Sequence, residues 1–336
     1  MLEAFLAVPF FLISVLLTAI VLRLAVRAQL IALPSARGSH HIPTPVGGGF
    51  AIVSVYFLGL STLWQWQFIP LNEFFALSAS LMVAIVGLLD DRRHVDFRVR
   101  LLVQCLAVFW GLVWLAPLPQ LKILTSLPEV SLVVWLFFSL VLLWMTNLYN
   151  FMDGIDGFAG SQACFAGLAA AGFLVYSEDY GLALLCLYLF AGATGFLVWN
   201  WPPARIFMGD VGSGFIGFSL GLIAVLSLSH GSMSVWSWAL LMGCFIVDAT
   251  LTLARRVLSG ERWYEAHCSH TFQIAARKFA DHGRVTIGLL LIDVLWLLPL
   301  AMLAAKHPEY GVYLTTAGLI PLVLIALWFN AGNAPR

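Results

Sequence analysis

Long apolar runs follow one another along almost the whole chain, at roughly 4–27, 46–68, 72–89, 99–119, 130–149, 158–176, 181–199, 211–229, 233–254, 285–305 and 311–330. Short joints of polar, Pro and Gly residues part them. Each run approaches the roughly 20 residues a helix needs to cross a hydrocarbon core. The pattern predicts an all-α polytopic integral membrane protein of about 11 transmembrane helices, or about 10 if the third run or the one holding Asp248 does not span.

Composition agrees with that reading. With 61 % hydrophobic and 10 % charged residues and a mean hydropathy of +0.95, a soluble globular domain is excluded. No stretch is long enough for a separate soluble unit, so residues 1–336 read as a single transmembrane domain. The first run follows Glu3 instead of a basic segment and lacks a small-residue cleavage site, which makes it an anchor helix. Cys105, Cys164, Cys186 and Cys244 lie inside apolar runs and Cys268 in a loop, so neither a disulfide framework nor a CxxC metal site is implied.

The net charge is zero, but its distribution is uneven. If the joints alternate sides, all but two of the 17 Lys and Arg residues fall on one face, Lys122 and Lys306 being the exceptions. The positive-inside bias makes the crowded face cytoplasmic, with the N-terminus outside and the C-terminus inside.

The same alternation gathers the unusual polar segments on that face: Ser39 to Gly49, Asp90 to Arg100, Asn147 to Gly157, Asn200 to Gly214 and Leu258 to Arg284. A protein that only moved a solute would hold its ionisable groups near the bilayer midplane. Chemistry on something delivered from the cytoplasm fits a rim better.

Directly after the apolar stretch from Val130 to Thr146 come Asn147, Asn150, Asp153 and Asp156 at intervals of three, with Gly154 and Gly157 leaving room beside the acids. Helix capping alone needs fewer polar groups. Asp90 and Asp91 are adjacent and repel unless a cation or proton intervenes. Carboxylates are hard ligands suited to Mg²⁺ or Mn²⁺, ions that usually bind one or two of them plus substrate phosphates. In Phe207-Met-Gly-Asp210-Val-Gly-Ser213-Gly214, a Gly-rich turn opens an apolar helix, an arrangement that favours an anion, while Asp210 could hold a metal against it. His267 and His270, with Arg262, Arg277, Lys278 and Arg284, suit phosphate better than zinc, since HExxH is absent. Asp248 lies deep in an apolar run and is placed near the site from within the bundle; Asp293 reads as structural.

Pro43-Thr-Pro-Val-Gly47-Gly-Gly49, Asp90-Asp91, Asn147 to Gly157, Asn200 with Phe207-Met-Gly-Asp210, and His267-Cys-Ser-His270 together resemble the polyprenyl-phosphate N-acetylhexosamine-1-phosphate transferases. The resemblance covers about residues 35 to 285, in family order, and the His-x-Ser-His form is closer to the O-antigen-initiating branch than to the peptidoglycan enzymes. It implies a bacterial inner-membrane enzyme that transfers a sugar-1-phosphate from a UDP-N-acetylated sugar to undecaprenyl phosphate, with Mg²⁺ and release of UMP. By motif position it implies Asp210 as principal Mg²⁺ ligand with Asp91 beside it, and Asp90 as the acid that deprotonates the lipid phosphate. Asn150, Asp153 and Asp156 match a nucleotide-side cluster, Asn200 a polar contact, Phe207 an aromatic stacked on uracil, and His267 and His270 a loop near the diphosphate. His94 replaces a lysine of the peptidoglycan branch, a charge that Arg98 or Arg100 would supply, and Val46 replaces a residue that is basic in many relatives. A homodimer is suggested by analogy, and no nucleic-acid partner. The rival expectation is an ion-coupled transporter or lipid flippase without covalent chemistry; a silent scaffold would leave the five motifs unexplained.

Overall fold

The computed structural model describes residues 2–34, 42–118, 130–261 and 267–333. Among the described residues the regular structure is helical apart from one two-residue ribbon, as the apolar runs require, because a chain in lipid must satisfy its backbone hydrogen bonds internally. The elements are α1 (Leu2–Arg27), β1 (Ile31–Ala32), β2 (Thr44–Pro45), α2 (Gly49–Gln65), α3 (Leu71–Ser78), α4 (Ser80–Arg92), α5 (Phe97–Leu115), α6 (Val130–Met152), α7 (Phe158–Tyr176), α8 (Tyr180–Asn200), α9 (Asp210–His230), α10 (Val235–Leu241), α11 (Gly243–Leu258), α12 (Thr271–Phe279), α13 (His282–Ile292), α14 (Leu298–Lys306) and α15 (Gly311–Trp328).

Among the described residues nine helices or continuous helix pairs are long and apolar enough to span, and a tenth arises if α10 and α11 count as one span bent by 76°. Helix α2, at 17 residues, rises only about 25 Å at 1.5 Å per residue, just short of a hydrocarbon core. The two runs that set the uncertainty in the predicted number are the interrupted ones: α3 meets α4 at Ala79, and α10 meets α11 at Met242. A π-helical turn, Asp293–Leu297, joins α13 to α14.

Helix α9 runs up the middle, buried along nearly its whole length between α2, α4 and α6. The antiparallel ribbon pairs Ile31 with Pro45 and Ala32 with Thr44, and Val46 then bridges Phe207 in parallel. That bridge ties the start of α2 to the turn before α9. The segments 42–49, 90–100, 147–157, 200–214 and 267–284 all lie at helix ends on the same side of the bundle. At the opposite end sit the starts of α3, α8 and α10 and the end of α9.

Candidate active site

Two glycines let neighbouring helices press on the first turn of α9. A methyl group on Gly87 would stand 2.5 Å from the Asp210 carbonyl carbon and 2.7 Å from the Val211 nitrogen, and one on Gly49 would stand 2.6 Å from the Gly212 nitrogen. Three and four residues beyond Gly87, on the same face of α4, come Asp90 and Asp91. The chain enters α9 through Gly209 at φ +78°, where a Cβ would lie 2.6 Å from Asp91 Oδ2. Both oxygens of Asp91 then take backbone protons: Asp210 N–H donates to Oδ1 at 2.8 Å and Val211 N–H to Oδ2 at 3.1 Å. Asp91 thus caps α9 from another helix, satisfying two donors that a helix start leaves open.

Around that cap the other acids gather. Asp90, whose side chain is 6 % exposed, forms an ion pair with Arg100 and accepts the Val95 N–H at 2.7 Å. The same Arg100 nitrogen lies 3.2 Å from Asp210 Oδ2. On its other oxygen Asp210 accepts from Asn150 Nδ2 at 2.8 Å, and that amide also donates to Ser213 Oγ at 3.0 Å. One guanidinium and one carboxamide therefore hold Asp210, which remains one-third exposed. The Asp153 carboxyl has no hydrogen-bonding partner among the described residues, although its backbone N–H donates to Asn150 O at 3.3 Å. Burial above all, then the charges of Asp210, Asp91 and Asp156, pushes its carboxyl up to about 8. Unlike its neighbours, it has no partner to favour its charged form, so the protonated form is favoured near neutral pH. Asn147 serves packing, donating to Gln104 Oε1 at 3.0 Å and to Leu143 O at 2.8 Å.

Two cavities flank this cluster. A small one of about 50 Å³ is bordered by Arg100, Gln104, Asn150, Phe151 and Asp210. A larger one of about 630 Å³ is bordered by Thr44, Asp156, Phe207, Arg277 and His282 and by the Pro202–Ala204 turn. Asp156 fixes the wall of the larger cavity, since its Oδ2 accepts the Ala204 N–H at 3.0 Å. Asn200 works behind that wall: it is buried, its Oδ1 accepts the Gly157 N–H at 3.0 Å and its Nδ2 donates to Ile206 O at 2.9 Å. Both ends of its amide are spent on joining the turn after α6 to the turn after α8.

His270 lies at the start of α12, buried, with Nδ1 3.4 Å from Asp248 Oδ1 and its ring stacked at 6.4 Å on Phe151. It reaches the small cavity through Phe151 rather than by lining it. Ser269 contacts the Nδ1 of His267, its N–H at 3.4 Å and its Oγ at 3.1 Å. Burial first, then the neighbouring His270 and Arg256, lowers the His267 ring to about 3, so it works as a neutral group. Asp248 repeats the device of Asp91, accepting from Thr271 N–H at 2.9 Å and Phe272 N–H at 3.2 Å and so capping α12. Of the two arginines expected to supply phosphate charge, Arg100 meets the acids, while Arg98 lies exposed with its guanidinium over Phe97. Arg262 falls outside the described residues. Sequence reasoning passed over Gln104 and His282, and it quoted Ser213 within the Phe207–Gly214 turn without giving it a role. Gln104 and His282 have no motif partner at fixed spacing, and each acquires its place only through tertiary contact.

Among the described residues no three His, Cys, Asp or Glu side chains form a ready-made metal cage. The donor set nevertheless fits a hard divalent cation that keeps water and takes substrate phosphates, the usual manner of Mg²⁺. Asp210 is exposed enough to bind, and Asp153 is a carboxyl whose proton such an ion would displace.

A multi-pass helical membrane protein with an acid-lined pocket at one end of a central helix is the class defined by this geometry. Residues 74–228 match the family described as glycosyl transferase family 4. A probable undecaprenyl-phosphate N-acetylglucosaminyl 1-phosphate transferase of Bacillus subtilis is 30 % identical over 256 residues, covering 73 % of this chain and 69 % of that protein. A phospho-N-acetylmuramoyl-pentapeptide-transferase of Methylacidiphilum infernorum is 31 % identical over 271 residues, 69 % of this chain and 72 % of its own. Another protein of that name, from Rippkaea orientalis, is 39 % identical over a shorter 127 residues, 37 % of this chain and 33 % of its own. The chain belongs to the polyprenyl-phosphate N-acetylhexosamine-1-phosphate transferase superfamily and is a transferase of that class.

Proposed function

We propose that the protein transfers an N-acetylhexosamine-1-phosphate from a UDP-sugar to undecaprenyl phosphate, releasing UMP and starting an envelope polysaccharide of the O-antigen type. The observation that carries this reading is the placement of Asp210, held by Arg100 and Asn150, on the wall of a small polar cavity, with Phe207, three residues before it, on the wall of a cavity large enough for a nucleotide. The larger cavity would take the nucleotide, with Phe207 beneath the base and Asp156 on its wall. The smaller would admit the acceptor phosphate from the lipid side. The face that bears both would be cytoplasmic, in the bacterial inner membrane, as the distribution of Lys and Arg suggests.

Asp210 and Asp153 would hold the divalent cation, Mg²⁺ or Mn²⁺, and Asp91 would fix Asp210 by capping its helix. When bound, the cation supplies neutralisation of the diphosphate and of the charge that builds on the departing UMP. Asp90 is engaged by Arg100 and the Val95 N–H. To accept a proton from the lipid phosphate it has to release Arg100, and an incoming phosphate is the anion that would draw that guanidinium away. Arg100 then compensates charge on the acceptor while Asp90 becomes basic. Neutral His267, with His270 behind Phe151, completes the polar boundary on the α12 side.

Asp210→Asn and Asp90→Asn are expected to lower UMP release in detergent by a hundredfold or more, the scale of losing a group that stabilises transition-state charge, with an unchanged melting profile. Turnover close to wild type in both variants would overturn the assignment. Incubation with undecaprenyl phosphate and a panel of UDP-sugars, scored by lipid mass, identifies the sugar. A product formed with the UDP-muramoyl-pentapeptide alone would move the protein to the peptidoglycan branch.

A further inference from the structure

Three polar side chains on the wall of the larger cavity, Arg277, Asp281 and His282, lie outside the five motifs, and His282 is the one that meets Asp156. His282, the first residue of α13, is one-fifth exposed and lies against Asp156. Its Nδ1 is 3.4 Å from the Asp156 backbone nitrogen and 3.4 Å from Asp156 Oδ1. An imidazole nitrogen can accept from the first or donate to the second, but not both at once. The backbone N–H keeps its proton at every working pH, so in the neutral ring Nδ1 is the acceptor and the ring proton resides on Nε2. Among the described residues Nε2 meets no hydrogen-bond acceptor, and the ring borders the cavity.

His282 sits where two chain segments must stay in register. Thr286, one turn along α13, donates from Oγ1 to the Asp156 carbonyl at 3.2 Å, while the Asp156 side chain reaches Ala204 in the next turn. The cavity wall thereby carries an accepting carboxylate and a donating ring N–H side by side, and the aromatic Phe207 borders the same cavity. Planar heterocycles with adjacent N–H and carbonyl groups complement such a pair.

We propose that His282 is a nucleotide-binding residue with two tasks: Nδ1 positions Asp156 through its backbone N–H, and Nε2–H donates to the nucleotide portion of the donor substrate. This rests on the nucleotide being held in the larger cavity, as in the proposed function. The two tasks can be separated, because the amide of Asn can replace the accepting Nδ1 and that of Gln can reach the donating Nε2.

The test uses UMP, which carries neither sugar nor lipid, with the full-length protein in detergent. Equilibrium binding of UMP should weaken about tenfold in His282→Ala, the effect of one lost hydrogen bond of about 1–1.5 kcal/mol. His282→Gln should recover part of that loss, and His282→Asn a different part. In turnover, the His282→Ala defect should fall more on KM for the UDP-sugar than on kcat. Wild-type UMP affinity in His282→Ala overturns the proposal while leaving the transferase reading intact. A weakening that follows loss of thermal stability, unrelieved by Gln or Asn, overturns it too, as the mark of a purely structural residue. Failure of the wild-type protein to bind UMP or UDP would instead remove the nucleotide cavity itself.

Discussion

Asp91 carries two requirements at one carboxylate: it must cap α9 and stand beside the acids proposed to hold a cation. Gly209 is what permits this, since its positive φ turns the chain and its missing side chain leaves the space filled by Asp91. Gly209→Ala should therefore lower activity by at least tenfold and destabilise the fold by roughly 1–3 kcal/mol, because a Cβ costs energy at that φ and displaces the carboxylate. Kinetics together with a detergent melting curve would check it, and wild-type values in both would refute the packing argument. At this scale the sequence was partly legible. Adjacent Asp90 and Asp91 stood out as a pair and Asp210 beside its glycines, and the fold does bring the three together. That Asp91 would be consumed by two N–H groups was not visible, because its partners lie 119 and 120 positions away. Asn200 shows the same limit: polar in a polar motif, it is buried as a clamp between turns.

At the scale of elements, the site is assembled by helices whose first turns are capped from elsewhere. Asp248 does for α12 what Asp91 does for α9, and its remaining bond, from Thr252 Oγ1 at 3.1 Å, keeps the carboxylate in place along α11. Asp248→Ala should release the Thr271 and Phe272 amides and cost about 1–2 kcal/mol, the range for loss of a helix cap. Hydrogen exchange should then speed up first at the start of α12, while α9 keeps its protection. Equal acceleration in both helices would show that Asp248 supports the whole bundle. The apolar runs predicted most helix bounds within a few residues, because a run ends where lipid-compatible residues end. The bend of 76° at Met242 was not readable. No proline marks it, and Gly243 resembles many other glycines in a chain of 28. Packing is close beside the break, where a side chain on Gly243 would meet Leu319 at 2.9 Å.

Across the whole molecule, α9 joins two polar centres. Asp210 opens it at the end that bears the candidate site, and His230 closes it at the other, with Nδ1 2.8 Å from Asp179 Oδ2 and Nε2 3.0 Å from Glu73 Oε1. Charge asymmetry in the sequence located the first centre, but the second has a single histidine and two isolated acids from three elements and left no motif. It latches α9 to the starts of α3 and α8, and only an imidazolium can donate to both carboxylates. Burial alone would raise the Asp179 carboxyl, but hydrogen bonds from His230 and Ser232 outweigh it and hold it below its ordinary value. A carboxyl lowered on folding stabilises the protein above its unfolded value of about 3.9, and that stability is lost as pH falls through the lower folded value. Asp179→Asn should thus cost roughly 1–3 kcal/mol near pH 7, the range for a hydrogen bond to a charged group. Melting in detergent from neutral pH downward checks the sign: the gap between variant and wild type should narrow only when the medium is more acidic than the ordinary carboxylate range. A gap that stays constant with pH would make Asp179 a packing residue, and the latch would then hold α9 by shape instead of charge.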